Sequence, residues 1–221
     1  MSFYSDAPFR GNRPLSLILF EGGLVYGFYQ SDYSAAVFPQ FAYAGFFVGT
    51  ADAPGDAAAT YRITDFDFDA KSANAGTLTL TGGGSTTVSG QLSVSSGATD
   101  SIGGAYASVS TAPTDTATLA RAYGGYIRSV AGGAALAATL TAAGQLSAST
   151  STGCSVSATL KPRPLGNLYD VKANLGTSCP APVGPYRGHA FQSLLSRNVY
   201  LMLTSDGYKD GVLVHLFDPP S

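Results

Sequence analysis

The sequence predicts an all-β protein, an antiparallel meander that forms a barrel or a sandwich. Apolar and polar residues alternate in one segment after another, which is the pattern of strands with one buried face. Gly, Pro, Asn and Asp separate these segments at short intervals, as is typical of strands joined by tight turns. Hydrophobic residues make up 45% of the 221 residues, so the chain can form a large core.

The N-terminal half begins with a hairpin pattern. Residues 15–20 and 24–29 are apolar segments on either side of a Glu-Gly-Gly turn. Further strand patterns then run through this half. They cover residues 38–48, 61–69, 76–81, 87–94 and 104–109.

Three aspartates in this half alternate with aromatic residues. In segment 61–69, period two places the phenylalanines on one face and Asp65, Asp67 and Asp69 on the other. A calcium loop of the EF-hand type needs Gly and Glu at its sixth and twelfth positions, where this chain has Ala and Gly. We therefore predict no metal site, and we expect the aspartates to form a solvated strand face that discourages aggregation.

The alternation lapses near Ala112, where Asp115 is placed to cap one short helix near 115–123. We place the domain boundary here. It separates an N-terminal antiparallel β half, 1–112, from a C-terminal antiparallel β half with the disulfide considered below, 113–221. Strand patterns resume after the helix.

Two weak internal echoes suggest that the halves are related. In one, Pro8-Phe-Arg-Gly resembles Pro185-Tyr-Arg-Gly. In the other, five residues recur later in the chain at one constant offset. They are Gly76, Leu78, Val88, Ser89 and Leu92, matched by Gly144, Leu146, Val156, Ser157 and Leu160.

The chain has only two cysteines, Cys154 and Cys179, which lie in neighbouring strand-like segments. Their spacing does not fit a zinc site, which needs four ligands. One interpretation is a structural disulfide, and the other is a pair of buried free thiols. A disulfide would indicate a periplasmic, cell-surface or secreted protein.

Composition also limits the location and the partners. Charged residues are 12% of the chain and the net charge is −2, so no basic patch suggests a nucleic-acid partner. No apolar segment approaches the roughly 18 residues of a membrane-spanning helix. Met1 leads directly into polar sequence without the apolar core of a signal peptide. We expect an exported protein whose signal has been removed.

Sequence motifs for catalysis are lacking. The two histidines, His189 and His215, are the candidates for a general base, but the chain has no Gly-x-Ser-x-Gly motif. The Gly-rich segment 82–85 is not followed by the Lys-Ser/Thr of a phosphate loop. We therefore predict no catalytic, cofactor-binding or metal-binding residues.

Aromatic residues are concentrated between 20 and 47. One interpretation is a core of Phe with Tyr at its rim. The other is a surface that contacts a partner or a ligand, because Tyr and Phe supply large contact area. The candidates for that surface are Tyr26, Phe28, Phe41, Tyr43 and Phe46.

A family resemblance covers residues 119–217. The motifs that carry it are LARAYGGY from Leu119, the Gly153-Cys154 pair, LKPR from Leu160 and GNLYDV from Gly166, followed by Cys179. This pattern resembles small exported β-rich lipoproteins of Gram-negative bacteria, especially immunogenic surface antigens of Burkholderia-like organisms. The resemblance implies export, a disulfide, a β-barrel-like fold and no established activity. It also implies membrane attachment through an N-terminal lipid anchor on a removed segment.

These observations lead to three functional hypotheses. The first is a non-enzymatic cell-envelope or surface protein, a lipoprotein-like antigen that binds an unknown protein partner. The alternative is a lipocalin-like carrier that holds a small apolar ligand inside a barrel. A third hypothesis is a hydrolase that uses His189 or His215.

Overall fold

The structure is a computed structural model that describes residues 2–10, 13–20, 22–31, 43–52, 58–82, 86–107, 115–164, 167–193 and 197–219. The described residues form sixteen strands and short 3-10 turns, which confirms the predicted all-β antiparallel fold. The chain divides into two compact units, Met1–Val109 and Ser110–Ser221. Each unit is an eight-stranded meander.

The N-terminal unit curls until its first and last strands pair at Phe3–Ser5 and Ala105–Ala107, which closes a barrel. All neighbouring strands are antiparallel and consecutive in sequence. The strands are β1 (Ser2–Phe9), β2 (Arg13–Leu19), β3 (Leu24–Gln30), β4 (Tyr43–Ala51), β5 (Ala58–Asp67), β6 (Ser72–Thr81), β7 (Thr87–Val94) and β8 (Thr99–Ala107).

The C-terminal unit is a second closed barrel, in which the last strand pairs with the first over Val212–Phe217 and Gly124–Ser129. Closure leaves no unpaired sheet edge, which suits a chain with few charges to protect one. The strands are β9 (Arg121–Ser129), β10 (Gly132–Leu140), β11 (Gln145–Thr150), β12 (Ser155–Pro162), β13 (Leu168–Leu175), β14 (Gly184–Gln192), β15 (Val199–Thr204) and β16 (Gly211–Phe217).

Alternation decides which side chains fill each barrel. Along β12 and β13 every second residue is buried and the residues between are exposed, because successive side chains point to opposite faces. The inward residues of all eight strands join one apolar cluster in the C-terminal barrel. A separate apolar cluster fills the N-terminal barrel.

The predicted helix near 115–123 is shorter than expected. A single 3-10 turn spans Thr116–Leu119, and the Asp115 carboxylate caps it by accepting from the Ala117 amide at 2.9 Å. From Arg121 onward the chain is strand β9, because those residues pair with β10. Leu119 is fully buried within the interior cluster, so the turn covers one end of the C-terminal barrel.

The sequence echoes correspond to matching strands. They relate β6 to β11, β7 to β12 and, across the β8–β1 seam, β1 to β14. We number the strands of each barrel from one to eight and count on from the eighth to the first, because each ring is closed. Each matched strand of the C-terminal barrel then stands five positions after its counterpart in the N-terminal barrel. Matched residues also point to the same side of their barrels. Leu78 and Leu146 both belong to interior clusters, and so do Phe9 and Tyr186. The pattern fits two related barrels whose strand orders are circularly permuted.

Candidate functional site

The two cysteines form a disulfide, as predicted. The Sγ atoms of Cys154 and Cys179 are 2.06 Å apart, and the Cα atoms are 4.4 Å apart. Cys154 is buried at the start of β12, where its amide donates to the Thr150 hydroxyl at 3.1 Å. Cys179 lies in the connection between β13 and β14. The bridge therefore fastens that connection to the start of β12.

Four of the five candidate aromatic residues lie together on the outer face of the N-terminal barrel. Tyr26, Phe28 and Phe46 alternate with members of the interior cluster, so they point away from the barrel interior. The Phe28 and Tyr43 rings are 5.9 Å apart, edge to face. Phe41 lies outside the described residues.

These outer aromatic residues are buried rather than displayed. Tyr26 and Phe28 are 3% and 4% exposed, Phe46 is fully buried, and only Tyr43 is half-buried. Phe46 contacts Phe66 with ring centroids 5.1 Å apart. The face is therefore a packed aromatic layer, which neither lines the barrel interior nor presents open rings to solvent.

The C-terminal barrel carries a comparable outer layer on the corresponding strands. Tyr200 of β15 stacks on His215 of β16, with centroids 4.7 Å apart and planes 6° from parallel. Phe217 contacts the His215 ring at 5.4 Å and the Tyr126 ring of β9 at the same distance. Since β15, β16 and β9 correspond to β2, β3 and β4, both barrels bury aromatic side chains on the same part of their outer wall.

A charged cluster lies inside the N-terminal barrel, where the sequence predicted none. Arg10 contacts three carboxylates, with Nη2 2.6 Å from Asp65, Nη1 2.7 Å from Asp67 and Nε 3.1 Å from Asp100. The Tyr29 hydroxyl accepts from Arg10 Nη1 and donates to Asp65 Oδ1, both at 2.9 Å. The cluster thus joins the end of β1 to strands β3, β5 and β8.

The predicted solvated aspartate face is therefore wrong. Asp65 is fully buried, and Asp67 keeps only 14% of its side-chain exposure. Asp69 is also half-buried and lies 3.5 Å from Arg13. Curling of the sheet turns this face of β5 inward, while the phenylalanine face is buried on the outside.

The protonation states of the cluster follow from burial and pairing. Burial raises the pKa of Asp65 above its usual value, and the adjacent Arg10 guanidinium opposes that effect. Burial and the Asp65 carboxylate raise the pKa of Tyr29 well above its ordinary value, so the phenol stays neutral. Burial alone lowers the pKa of Arg10, but the surrounding Tyr29 and Asp65 oxygens outweigh it and raise that pKa. The network holds strands together through one guanidinium shared among three carboxylates.

His189 lies on the outside of β14 beside two charged side chains. Its Nε2 is 3.2 Å from Arg163 Nη1 and 3.2 Å from Asp170 Oδ1. Burial lowers the pKa of His189 to about 4, although Asp170 acts in the opposite direction. The ring is therefore neutral at pH 7, where it is a weak base compared with a histidine whose pKa lies near the working pH.

His215 is held by its aromatic neighbours. Burial lowers the pKa of His215 to about 4. His215 points outward from β16 and lies opposite Tyr200 on the neighbouring strand. His189 lies opposite Met202 instead. Among the described residues, no group of three or more His, Cys, Asp or Glu side chains is arranged to hold a metal ion.

The interior of the C-terminal barrel is filled by its own side chains. Ala138, Ala148, Ala158 and Ala173 pack among the larger residues of the interior cluster. An eight-stranded barrel is just wide enough for side chains to fill it. To carry a ligand in this interior, the barrel would have to move these packed side chains aside and open a chamber.

No protein-family model, no curated protein and no solved structure matches the chain. In the part of the chain that the structure describes, no helix is both long and apolar enough to cross a bilayer.

Proposed function

We propose that the protein is a non-enzymatic, exported protein of the bacterial cell envelope or surface, lipoprotein-like, which presents rigid β-barrels to a partner. The observation that carries the proposal is the Cys154–Cys179 disulfide. Disulfides persist in oxidising compartments such as the periplasm and the cell surface, and they are rare in the cytosol. Both cysteines of the chain are used in this bond.

The outer polar faces add support for a binding role. The exposed positions of β11 and β12 hold Gln, Ser and Thr between the buried apolar positions. Such a surface remains soluble with only 12% charged residues. Short hydroxyl side chains on rigid strands give a flat surface with little conformational freedom to lose on binding.

The histidines support a non-enzymatic role. Each is neutral at pH 7, because burial holds its pKa at about 4. A general base is most effective when its pKa lies near the operating pH. His189 is engaged with Arg163 and Asp170, and His215 stacks on Tyr200 and contacts Phe217 at a tilted angle.

A lipocalin-like carrier of a small apolar ligand is the second candidate. The observation in its favour is the closed eight-stranded barrel, an architecture that holds one small ligand in lipocalins. The packed interior cluster of the C-terminal barrel weighs against a preformed chamber there. Native mass spectrometry of protein isolated from its source would separate the two, because a carrier retains extra mass that leaves on denaturation.

The location is tested on intact cells of the source organism. A membrane-impermeant amine reagent and an added protease should both reach the protein, and fractionation should place it in the envelope. A cytosolic enzyme of the same cells, assayed in parallel, should remain unlabelled. Recovery of the protein in the cytosolic fraction with free thiols at both cysteines would overturn the proposal.

A further inference from the structure

A row of outward-facing polar side chains crosses four neighbouring strands of the C-terminal barrel. Gln145 of β11 lies opposite Thr159 of β12, Thr159 opposite Lys172 of β13, and Lys172 opposite Arg187 of β14. All four side chains are exposed. Since strands in a sheet are about 4.8 Å apart, the row is roughly 14 Å long.

The row contains an unfavourable pair of like charges. Lys172 and Arg187 are directly opposite each other on adjacent strands, an arrangement that destabilises a sheet when nothing neutralises it. Arg121 pairs with Asp218 and Arg163 pairs with Asp170, but neither Lys172 nor Arg187 takes part in an ion pair with a described residue. Asp170, the acidic side chain two residues from Lys172 on the same face of β13, already lies beside Arg163 and His189. The two adjacent cations are therefore suited to an external anion.

The next row shows the usual arrangement for comparison. Lys161 of β12 lies opposite Asp170 of β13, and Asp170 lies opposite His189 of β14. Here a carboxylate separates the basic groups, and Arg163 also contacts it at 3.4 Å. The missing carboxylate is therefore a property of one row and not of the whole face.

A shallow open cleft of about 280 Å³ lies along the same strands. Its polar lining consists of Gln145, Ser157, Thr159, Lys172 and Asn174. The Thr159 hydroxyl donates to Gln145 Oε1 at 3.2 Å, which orients the amide at one end of the row. Amides, hydroxyls and an ammonium group are the donors and acceptors that a hydroxyl-rich ligand requires.

We propose that this face, the basic row of Gln145, Thr159, Lys172 and Arg187 with its cleft, binds an acidic oligosaccharide. Carboxylate or sulfate groups of the sugar pair with Lys172 and Arg187, and the guanidinium can bind such a group through two hydrogen bonds. Sugar hydroxyls exchange hydrogen bonds with the cleft residues. Nucleic acid fits less well, because phosphate binding needs many cations and the chain has a net charge of −2.

The inference extends the proposed function by naming the ligand class of an envelope protein, but its test is independent of location. Purified full-length protein is titrated calorimetrically with a heparin hexasaccharide and with a hexameric oligogalacturonate. Cellohexaose serves as an uncharged sugar of the same length, and a short single-stranded DNA as a non-sugar anion. We expect binding of the two acidic sugars that weakens as salt is added, with little binding of cellohexaose or DNA.

Two charge-matched double variants decide whether the row is responsible. Lys172→Gln with Arg187→Gln should weaken binding of the acidic sugars at least about ten-fold. Arg197→Gln with Lys209→Gln removes the same two charges from exposed positions elsewhere in this barrel and should leave binding unchanged. Circular dichroism checks that both variants keep the fold.

Three results would overturn the inference. One is no binding of either acidic sugar at low salt, and another is equal weakening by the two double variants. The third is tighter binding of the DNA than of the sugars. None of these results bears on whether the protein is exported, so failure of the ligand assignment and failure of the proposed location are distinguishable.

Discussion

The Arg10 guanidinium and the Asp65 carboxylate form an ion pair inside the N-terminal barrel, with Nη2 and Oδ2 2.6 Å apart. The two residues are 55 positions apart in the sequence. Asp65 is fully buried, so the charge on its carboxylate depends on this partner and on the Tyr29 hydroxyl. Removing one member of a buried pair is costly because the other charge remains without compensation.

Arg10→Met should therefore destabilise the protein by about 3–5 kcal/mol, measured by urea denaturation of the full chain. The matched control is Arg62→Met, which removes an ion pair with Asp52 from a side chain that is 81% exposed. That variant should lose less than about 1 kcal/mol. Equal losses in the two variants would show that the buried cluster has no special role.

Tyr29→Phe is a milder test of the same cluster. It removes the hydroxyl that donates to Asp65 and accepts from Arg10, while the ring remains packed 4.9 Å from Phe9. We expect a loss of about 1–3 kcal/mol in the free energy of unfolding, because a buried carboxylate loses a hydrogen bond. An unchanged denaturation midpoint would contradict the network.

The disulfide should contribute stability to the C-terminal barrel. Cys154→Ser combined with Cys179→Ser opens a loop of 25 residues in sequence separation. In the chain-entropy description this costs about 3 kcal/mol without changing the fold class. Thermal denaturation with and without a reducing agent checks the effect, since the reductant should lower the melting temperature of the wild type and leave that of the double variant unchanged.

Mild acid should destabilise the protein through its histidines. Burial lowers the pKa of His189 and of His215 to about 4, below the usual value near 6.5 in an unfolded chain. The unfolded state therefore binds protons first. The contribution of each neutral histidine to the free energy of unfolding is fully present above pH 6.5 and is lost as the pH falls toward 4. At pH 5 the loss is about 2 kcal/mol for each histidine.

His215→Phe isolates one of these contributions. The aromatic ring preserves packing against Tyr200 and Phe217 but cannot be protonated. The difference in stability between pH 7 and pH 5 should shrink by about 2 kcal/mol in this variant. Comparison with the wild type at each pH also removes the opposite effect of Asp65, whose raised pKa favours the folded state in acid. An identical pH dependence in both proteins would contradict the account.

The barrel wall of the N-terminal unit should be sensitive to a single methyl group at Gly90. A Cβ there would collide with the Thr79 carbonyl oxygen on the neighbouring strand, whereas a Cβ at Gly103 on β8 meets no atom within 4 Å. Gly90→Ala should lose about 1–3 kcal/mol, and Gly103→Ala should be neutral or slightly stabilising. Similar denaturation midpoints for the two variants would contradict the close approach of β6 and β7.

The fold class and the disulfide could be predicted from local patterns. Alternation along β12 and β13 identifies the strands and their faces, and the two cysteines have only each other as partners. The length of the helix near Asp115 could not be predicted in this way. The helical turn ends where Arg121 begins to pair with Leu140 on the neighbouring strand, and that contact is not local in sequence.

The environment of the aspartates shows a deeper limit of sequence patterns. Alternation in β5 tells which residues share a face, but not which face is turned inward. That choice depends on how the whole sheet curls and on Arg10, which comes from a different strand. The opposite positions of Lys172 and Arg187 were hidden for the same reason, because strand register depends on the connections between strands.

The central claim is that this is an exported, disulfide-bonded barrel protein of the cell envelope. The most direct test is mass spectrometry of the protein recovered from the envelope fraction, alkylated before any reduction. The account predicts that neither cysteine is alkylated and that a Cys154–Cys179 cross-linked peptide appears after proteolysis. Alkylation of both cysteines, in protein found mainly in the cytosol, would contradict it.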